Sequence, residues 1–120
     1  MSNRLRKGEV VCIDYGLFKH YGIVSSDNTI IHYSGLVGKA RVEEVTVREF
    51  SSGKNIYVDK SFHSYNADAA IKKARSRIGE ENYCVLNNNC EDFVVWCTGC
   101  KKREHQIPRL VSGLISLIKG

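Results

Sequence analysis

Cys90, His20 and His32 are the residues of this 120-residue chain that could together do nucleophilic chemistry. A free thiol has a pKa of about 8.5, so little of it is thiolate at neutral pH. A neighbouring imidazolium lowers that value, and so does a helix N-terminus, whose unpaired N–H groups favour negative charge. Cys90 follows Asn89, a good helix cap, and stands where a helix is expected to begin. His20 would supply the base or the imidazolium. His32 would orient His20 through a hydrogen bond, the job a carboxylate or amide does in other triads. The Cys90 N–H at the helix start would donate to an oxyanion.

A β-hairpin must position the histidines. Residues 19–25 and 29–33 read as strands around the polar turn signal Ser26-Asp27-Asn28. Side chains alternate faces along a strand. With an odd loop such as Ser25-Ser26-Asp27, positions 20 and 32 sit opposite on one face, with Cβ atoms roughly 5 Å apart. With an even loop the rings fall on opposite faces and the pairing fails. Residues 9–15, 41–48 and 55–59 read as further strands, and Ser51-Ser52-Gly53-Lys54 as a turn. A helix is expected over 67–78, capped by Asn66 and stopped by Gly79, with Ala67, Ala70, Ile71, Ala74 and Ile78 on one face. The Cys90 helix runs to about Thr98, with Gly99 as its stop. Pro108 can open a third helix over 109–118, which puts Leu110, Val111, Leu114, Ile115 and Ile118 on one face.

The composition bounds the partners. The net charge is +5, with 42% hydrophobic and 26% charged residues, which suits one globular domain. A basic balance favours anionic surfaces, but no zinc-finger, phosphate-loop or RNP-like pattern supports nucleic acid. Five cysteines follow a polar, basic N-terminus that does not read as a signal peptide, so they are expected as reduced thiols in the cytoplasm. No apolar run approaches the ~20 residues of a bilayer span.

Three blocks carry a resemblance to a known family: Lys19-His20-Tyr21-Gly22-Ile23-Val24, Ile30-Ile31-His32-Tyr33-Ser34-Gly35 and Asn89-Cys90-Glu91-Asp92-Phe93-Val94. In order and spacing they resemble the lecithin–retinol acyltransferase-like family. The opening Leu5-Arg6-Lys7-Gly8-Glu9-Val10-Val11 is similar to that family's start. The resemblance implies an α+β fold, a circularly permuted papain-like domain in which the nucleophile helix packs against an antiparallel sheet. It implies Cys90 as nucleophile, His20 as base and His32 as the third polar residue. It also implies transfer of an acyl group from a glycerophospholipid to the cysteine, then to water, an amine or an alcohol, without metal or organic cofactor. Asp92 stands where the family usually has histidine, and a carboxylate facing the site would raise the thiol pKa. Residues 1–108 would form the catalytic domain. Residues 109–120 would form an amphipathic helix or the start of a hydrophobic tail, with peripheral membrane contact through 109–118.

Rival readings use the same residues. A cysteine peptidase or amidase fits the same scaffold, and so does a non-catalytic interaction module, because a fold does not guarantee chemistry. Cys97-Thr98-Gly99-Cys100, with His105 and Cys84 or Cys90, has the residue types of a zinc site, but a lone C-x-x-C is weak evidence and no metal is assigned. Cys12, Phe93 and Trp96 read as core. Tyr21 either packs in the core or lines the acyl site.

Overall fold

The computed structural model describes residues 5–34, 40–62, 66–82 and 89–100. The expected 109–118 helix, Cys84 and His105 lie outside them. The elements are β1 (Val10–Asp14), β2 (Lys19–Ser26), β3 (Thr29–Ser34), β4 (Arg41–Thr46), α1 (Val47–Ser51), β5 (Tyr57–Val58), α2 (Ala67–Ser76) and α3 (Cys90–Thr98). The strands form one antiparallel sheet in the order β4-β3-β2-β1-β5. The fold is therefore α+β, with helices packed on a five-stranded sheet.

Both faces of the sheet are covered, so most strand residues are apolar. Val10, Cys12, Tyr21, Ile23, Ile31, Tyr33 and Val42 face α2 and α3, where Ala70, Ala74, Phe93, Val94 and Cys97 complete the larger core. Val11, Ile13, Val24 and Ile30 face the other way and pack on Phe50 of α1, with Ile56 and Val58 beside them. Tyr21 is a core residue whose ring meets Phe62 edge-on at 5.6 Å.

Four expectations need correcting. The strand expected over 55–59 is the two-residue β5, Tyr57–Val58. The strand expected over 41–48 stops at Thr46, because Thr46 and Glu49 form a reciprocal capping box that starts α1. The helix expected over 67–78 ends at Ser76, so Ile78 leaves the apolar face and is 44% exposed. Trp96, expected in the core, is 42% exposed. Its ring lies under the Arg77 guanidinium at 4.9 Å and the Lys73 ammonium at 5.2 Å, a cation–π arrangement that suits a half-wet indole.

Candidate functional site

The β2–β3 hairpin sets the histidines through a bulge. The turn is the two residues Asp27-Asn28, between the paired Ser26 and Thr29. An even loop alone would put His20 and His32 on opposite faces. The register shifts between Val24 and Ser26, however, and the extra residue Ser25 restores the parity. Gly22, not His20, then stands opposite His32. The direct pairing expected from an odd loop is replaced by a diagonal one on the same face. The diagonal is within reach of two rings: His20 Nε2 and His32 Nδ1 are 2.7 Å apart, and the ring centroids 5.0 Å.

Phe50 completes this small enclosure. Its ring stacks on His20 at 5.3 Å and meets His32 edge-on at 5.2 Å. Burial pushes the His20 imidazole down to about 3, with a further push from His32. Burial alone pushes His32 down to about 4. Both rings are therefore neutral at physiological pH, and across the 2.7 Å contact one ring's N–H donates to the other ring's bare nitrogen. His32 Nε2 is buried with no hydrogen-bond partner among the described residues.

Folding linkage follows from these values. In the unfolded chain a histidine titrates near 6.5, while in the folded protein the pair titrates near 3 and 4. As pH falls below 6.5 the unfolded state takes up protons that the folded state refuses. Stability is therefore complete above 6.5 and is lost as pH falls toward 4. The expected slope between pH 6 and 5 is of order 1–3 kcal/mol per pH unit for the pair. Urea midpoints measured across that window check it, and a flat profile would show rings that titrate normally.

Cys90 approaches from α3. Asn89 caps the helix: its side chain accepts from the Glu91 and Asp92 N–H groups at 2.9 and 3.0 Å, and Asp92 accepts from the Asn89 N–H at 3.3 Å. The residue that departs from the family pattern thus closes a capping box. The thiol is 4% exposed and donates to the Lys19 carbonyl at 3.8 Å. The Tyr15 N–H bonds to the Phe18 carbonyl, which fixes the hydrogen-bond alternation of β1 and β2. In that alternation the Lys19 C=O and the Tyr21 N–H both point away from β1. The recorded β2–β3 pairing ends at Gly22 and His32, and just beyond it the thiol lies against the edge of β2.

Burial raises the Cys90 pKa to about 11, and the Glu91 carboxylate adds to the rise. The backbone N–H groups of Tyr21, Glu91 and Cys90 act in the opposite direction. The sulfur is thus held by the peptides on either side of His20, although α3 covers one face of the sheet and the imidazoles lie on the other. The contact of the thiol is with the β2 backbone at Lys19 and Tyr21, the neighbours of His20, and not with an imidazole ring. At rest the site is a neutral thiol and two neutral imidazoles.

Of the C-x-x-C pair and its proposed zinc partners, Cys84 and His105 lie outside the described residues. Cys97 is buried in the larger core with its pKa raised to about 12 by burial, and Cys100 is half-buried. Among the described residues, no three His, Cys, Asp or Glu side chains group as a metal site. Cys12, Cys90 and Cys97 are free thiols. No described helix is long and apolar enough to cross a membrane. Sequence reasoning missed two residues that shape the site. Phe50 was hidden in an unrecognised helix, whose signal was the Thr46-x-x-Glu49 capping box. Gly22 was read only as part of a motif.

Comparison with known proteins shows what the chain is similar to. The family model described as lecithin retinol acyltransferase matches residues 3–103. The chain is 27% identical to lecithin retinol acyltransferase of Rattus norvegicus over 127 aligned residues, which cover 79% of this chain and 54% of the relative. It is 25% identical to the Homo sapiens protein of that name, over 80% of this chain and 55% of the relative. The chain spans about half the length of the curated relatives it matches.

Proposed function

The chain belongs to the lecithin retinol acyltransferase family, and on that basis we propose that it is a thiol-dependent acyltransferase or phospholipase A-type enzyme acting on glycerophospholipid esters. Cys90 is the nucleophile, His20 the general base and His32 the residue that orients it. The observation that supports this reading is a bonded histidine pair on the strand whose backbone the thiol touches. His20 is held by His32 at 2.7 Å, and the Cys90 thiol rests on the peptide units flanking that same histidine.

The chemistry follows from which nitrogen is engaged. His20 Nε2 is turned to His32, so Nδ1 is the nitrogen left to take a proton from sulfur. That role requires His20 to carry its proton on Nε2 and donate it to His32 Nδ1. As Sγ forms a bond to the acyl carbonyl carbon, the thiol proton moves to His20 Nδ1. The carbonyl oxygen becomes an oxyanion, to which the Cys90 N–H at the helix start would donate. The tetrahedral intermediate collapses with cleavage of the ester C–O bond. His20 returns the proton to the departing lysophospholipid oxygen and leaves a thioester on Cys90. Water, an amine or an alcohol then attacks the thioester, His20 accepts the proton of that nucleophile, and the thiol is regenerated.

Intact mass after mixing with phosphatidylcholine tests the reading. Wild type is expected to gain one acyl group, and Cys90→Ala none. Lysophospholipid should appear only with wild type. If wild type shows neither adduct nor turnover, the non-catalytic module replaces the enzyme. An adduct with peptide esters but not with lipid would favour the peptidase.

A further inference from the structure

The turn that leads directly into His20 exposes an unusual set of side chains. Tyr15, Gly16, Leu17 and Phe18 close β1 onto β2 by the Tyr15 N–H to Phe18 carbonyl bond at 2.9 Å. Gly16 has φ +93°, a backbone that L side chains rarely adopt, and its N–H is held by the Asp14 carboxylate at 2.7 Å. The tip is therefore preformed rather than loose. Leu17, at its end, is 77% exposed. Tyr15 and Phe18 stack on each other at 5.1 Å and are both exposed. Tyr57, paired with Cys12 across β5, adds a ring that is 54% exposed. Lys54 places its ammonium 5.4 Å from the Tyr15 ring centre. Asp14, Lys54 and Tyr57 line one shallow cleft.

Exposed apolar residues scattered singly need no explanation, but a rigid cluster does. A leucine at a turn apex, flanked by aromatic rings and lysines, matches what an interfacial anchor uses: apolar insertion, rings at headgroup level, and cations for anionic lipid. Lys19 and Lys54 supply local positive charge, and the chain as a whole carries +5. The one acid in the patch, Asp14, is tied to the turn backbone. The turn ends two residues before His20, so docking there would bring the acyl site to the bilayer surface.

We propose that the Tyr15–Phe18 turn, with Lys54 and Tyr57 beside it, docks the protein on an anionic phospholipid bilayer. The choice of lipid as the occupant rests on the acyl-ester reading above. Docking itself is a binding event that needs no turnover, so the two stand or fall on different measurements.

Co-sedimentation of the full chain with vesicles tests this, using phosphatidylcholine alone and phosphatidylcholine containing phosphatidylserine. Leu17→Glu is expected to weaken binding about tenfold or more on both. Lys54→Glu is expected to weaken it mainly on the phosphatidylserine vesicles. Ile78→Glu removes an apolar side chain exposed elsewhere and should bind as wild type does. Cys90→Ala should also bind as wild type does, whatever the outcome of the acylation test. Circular dichroism checks that each variant folds. Wild type that ignores vesicles overturns the proposal. So does Leu17→Glu binding as wild type does, which would move the contact to another part of the chain. Light scattering that shows Leu17→Glu splitting a dimer, with vesicle binding unchanged, overturns it in favour of a second copy of this chain.

Discussion

His20→Ala is expected to slow acylation of Cys90 by about 10²–10⁴-fold. The size of the effect follows from the resting charges. With its pKa raised to about 11, the thiol is ionised to only about 10⁻⁴ at pH 7. The His20 ring, pushed down to about 3, is neutral there too. The site therefore holds no preformed thiolate–imidazolium pair, and the proton must leave sulfur as the bond to carbon forms. Without His20 the proton acceptor beside the sulfur among the described residues is the Lys19 carbonyl, a very weak base. Single-turnover acylation followed by mass spectrometry measures the loss. Iodoacetamide adds a second readout. At pH 7 it should label Cys90 slowly in wild type and variant alike, because a neutral thiol reacts slowly whether or not its base is present. His32→Gln should lose less, because it removes orientation and leaves the base. A variant lacking His20 that acylates at nearly the wild-type rate would remove the imidazole from the mechanism. Fast, His20-dependent alkylation would restore the ion pair.

Gly22→Ala is expected to destabilise the protein by about 1–3 kcal/mol and to disturb the histidine pair at the same time. A Cβ at Gly22 would stand 2.5 Å from Ile30 Cγ2, 2.9 Å from Phe50 Cε1 and 3.3 Å from His32 Cβ. Neither Ile30 nor Phe50 has free space to yield into, since both are fully or almost fully buried. The loss of unfolded-chain entropy in such a substitution favours folding by about 0.4–1 kcal/mol, less than the expected overpacking. Gly22 lies opposite His32 and two residues from His20, so its missing side chain is the space the diagonal contact crosses. Urea unfolding with an unchanged m-value measures the stability change. The pH profile of the variant should also move toward ordinary histidine behaviour as the rings lose Phe50. A variant as stable as wild type, with the same acid sensitivity, would show that the hairpin has room the distances deny.

Much of this site can be read along the chain. Asn89 before Cys90 and Gly99 after Thr98 mark a helix with its thiol at the first position, because caps are local chemistry. The strands around His20 and His32 are legible because β-branched residues crowd there, and the three motif blocks identify the family. What sequence left open was parity. Whether the two rings share a face turned on one bulged residue, Ser25, and no local signal distinguishes a two-residue turn with a bulge from a three-residue loop. The neutral resting state was also hidden. A thiol at a helix start beside a histidine reads as an ion pair, since both local effects favour the thiolate. Burial under α3 and Phe50 outweighs them, and burial is a property of the packed molecule. The Tyr15–Phe18 turn went unremarked for a related reason: apolar residues in a sequence look alike until the fold shows which of them it leaves outside. The sequence by itself determined which residues are the candidates for chemistry and on which elements they ride, because those depend on near neighbours. Tertiary structure alone decided that the two rings share a face, what charge they and the thiol hold and which aromatic ring encloses them, because those depend on what folding brings across the sheet.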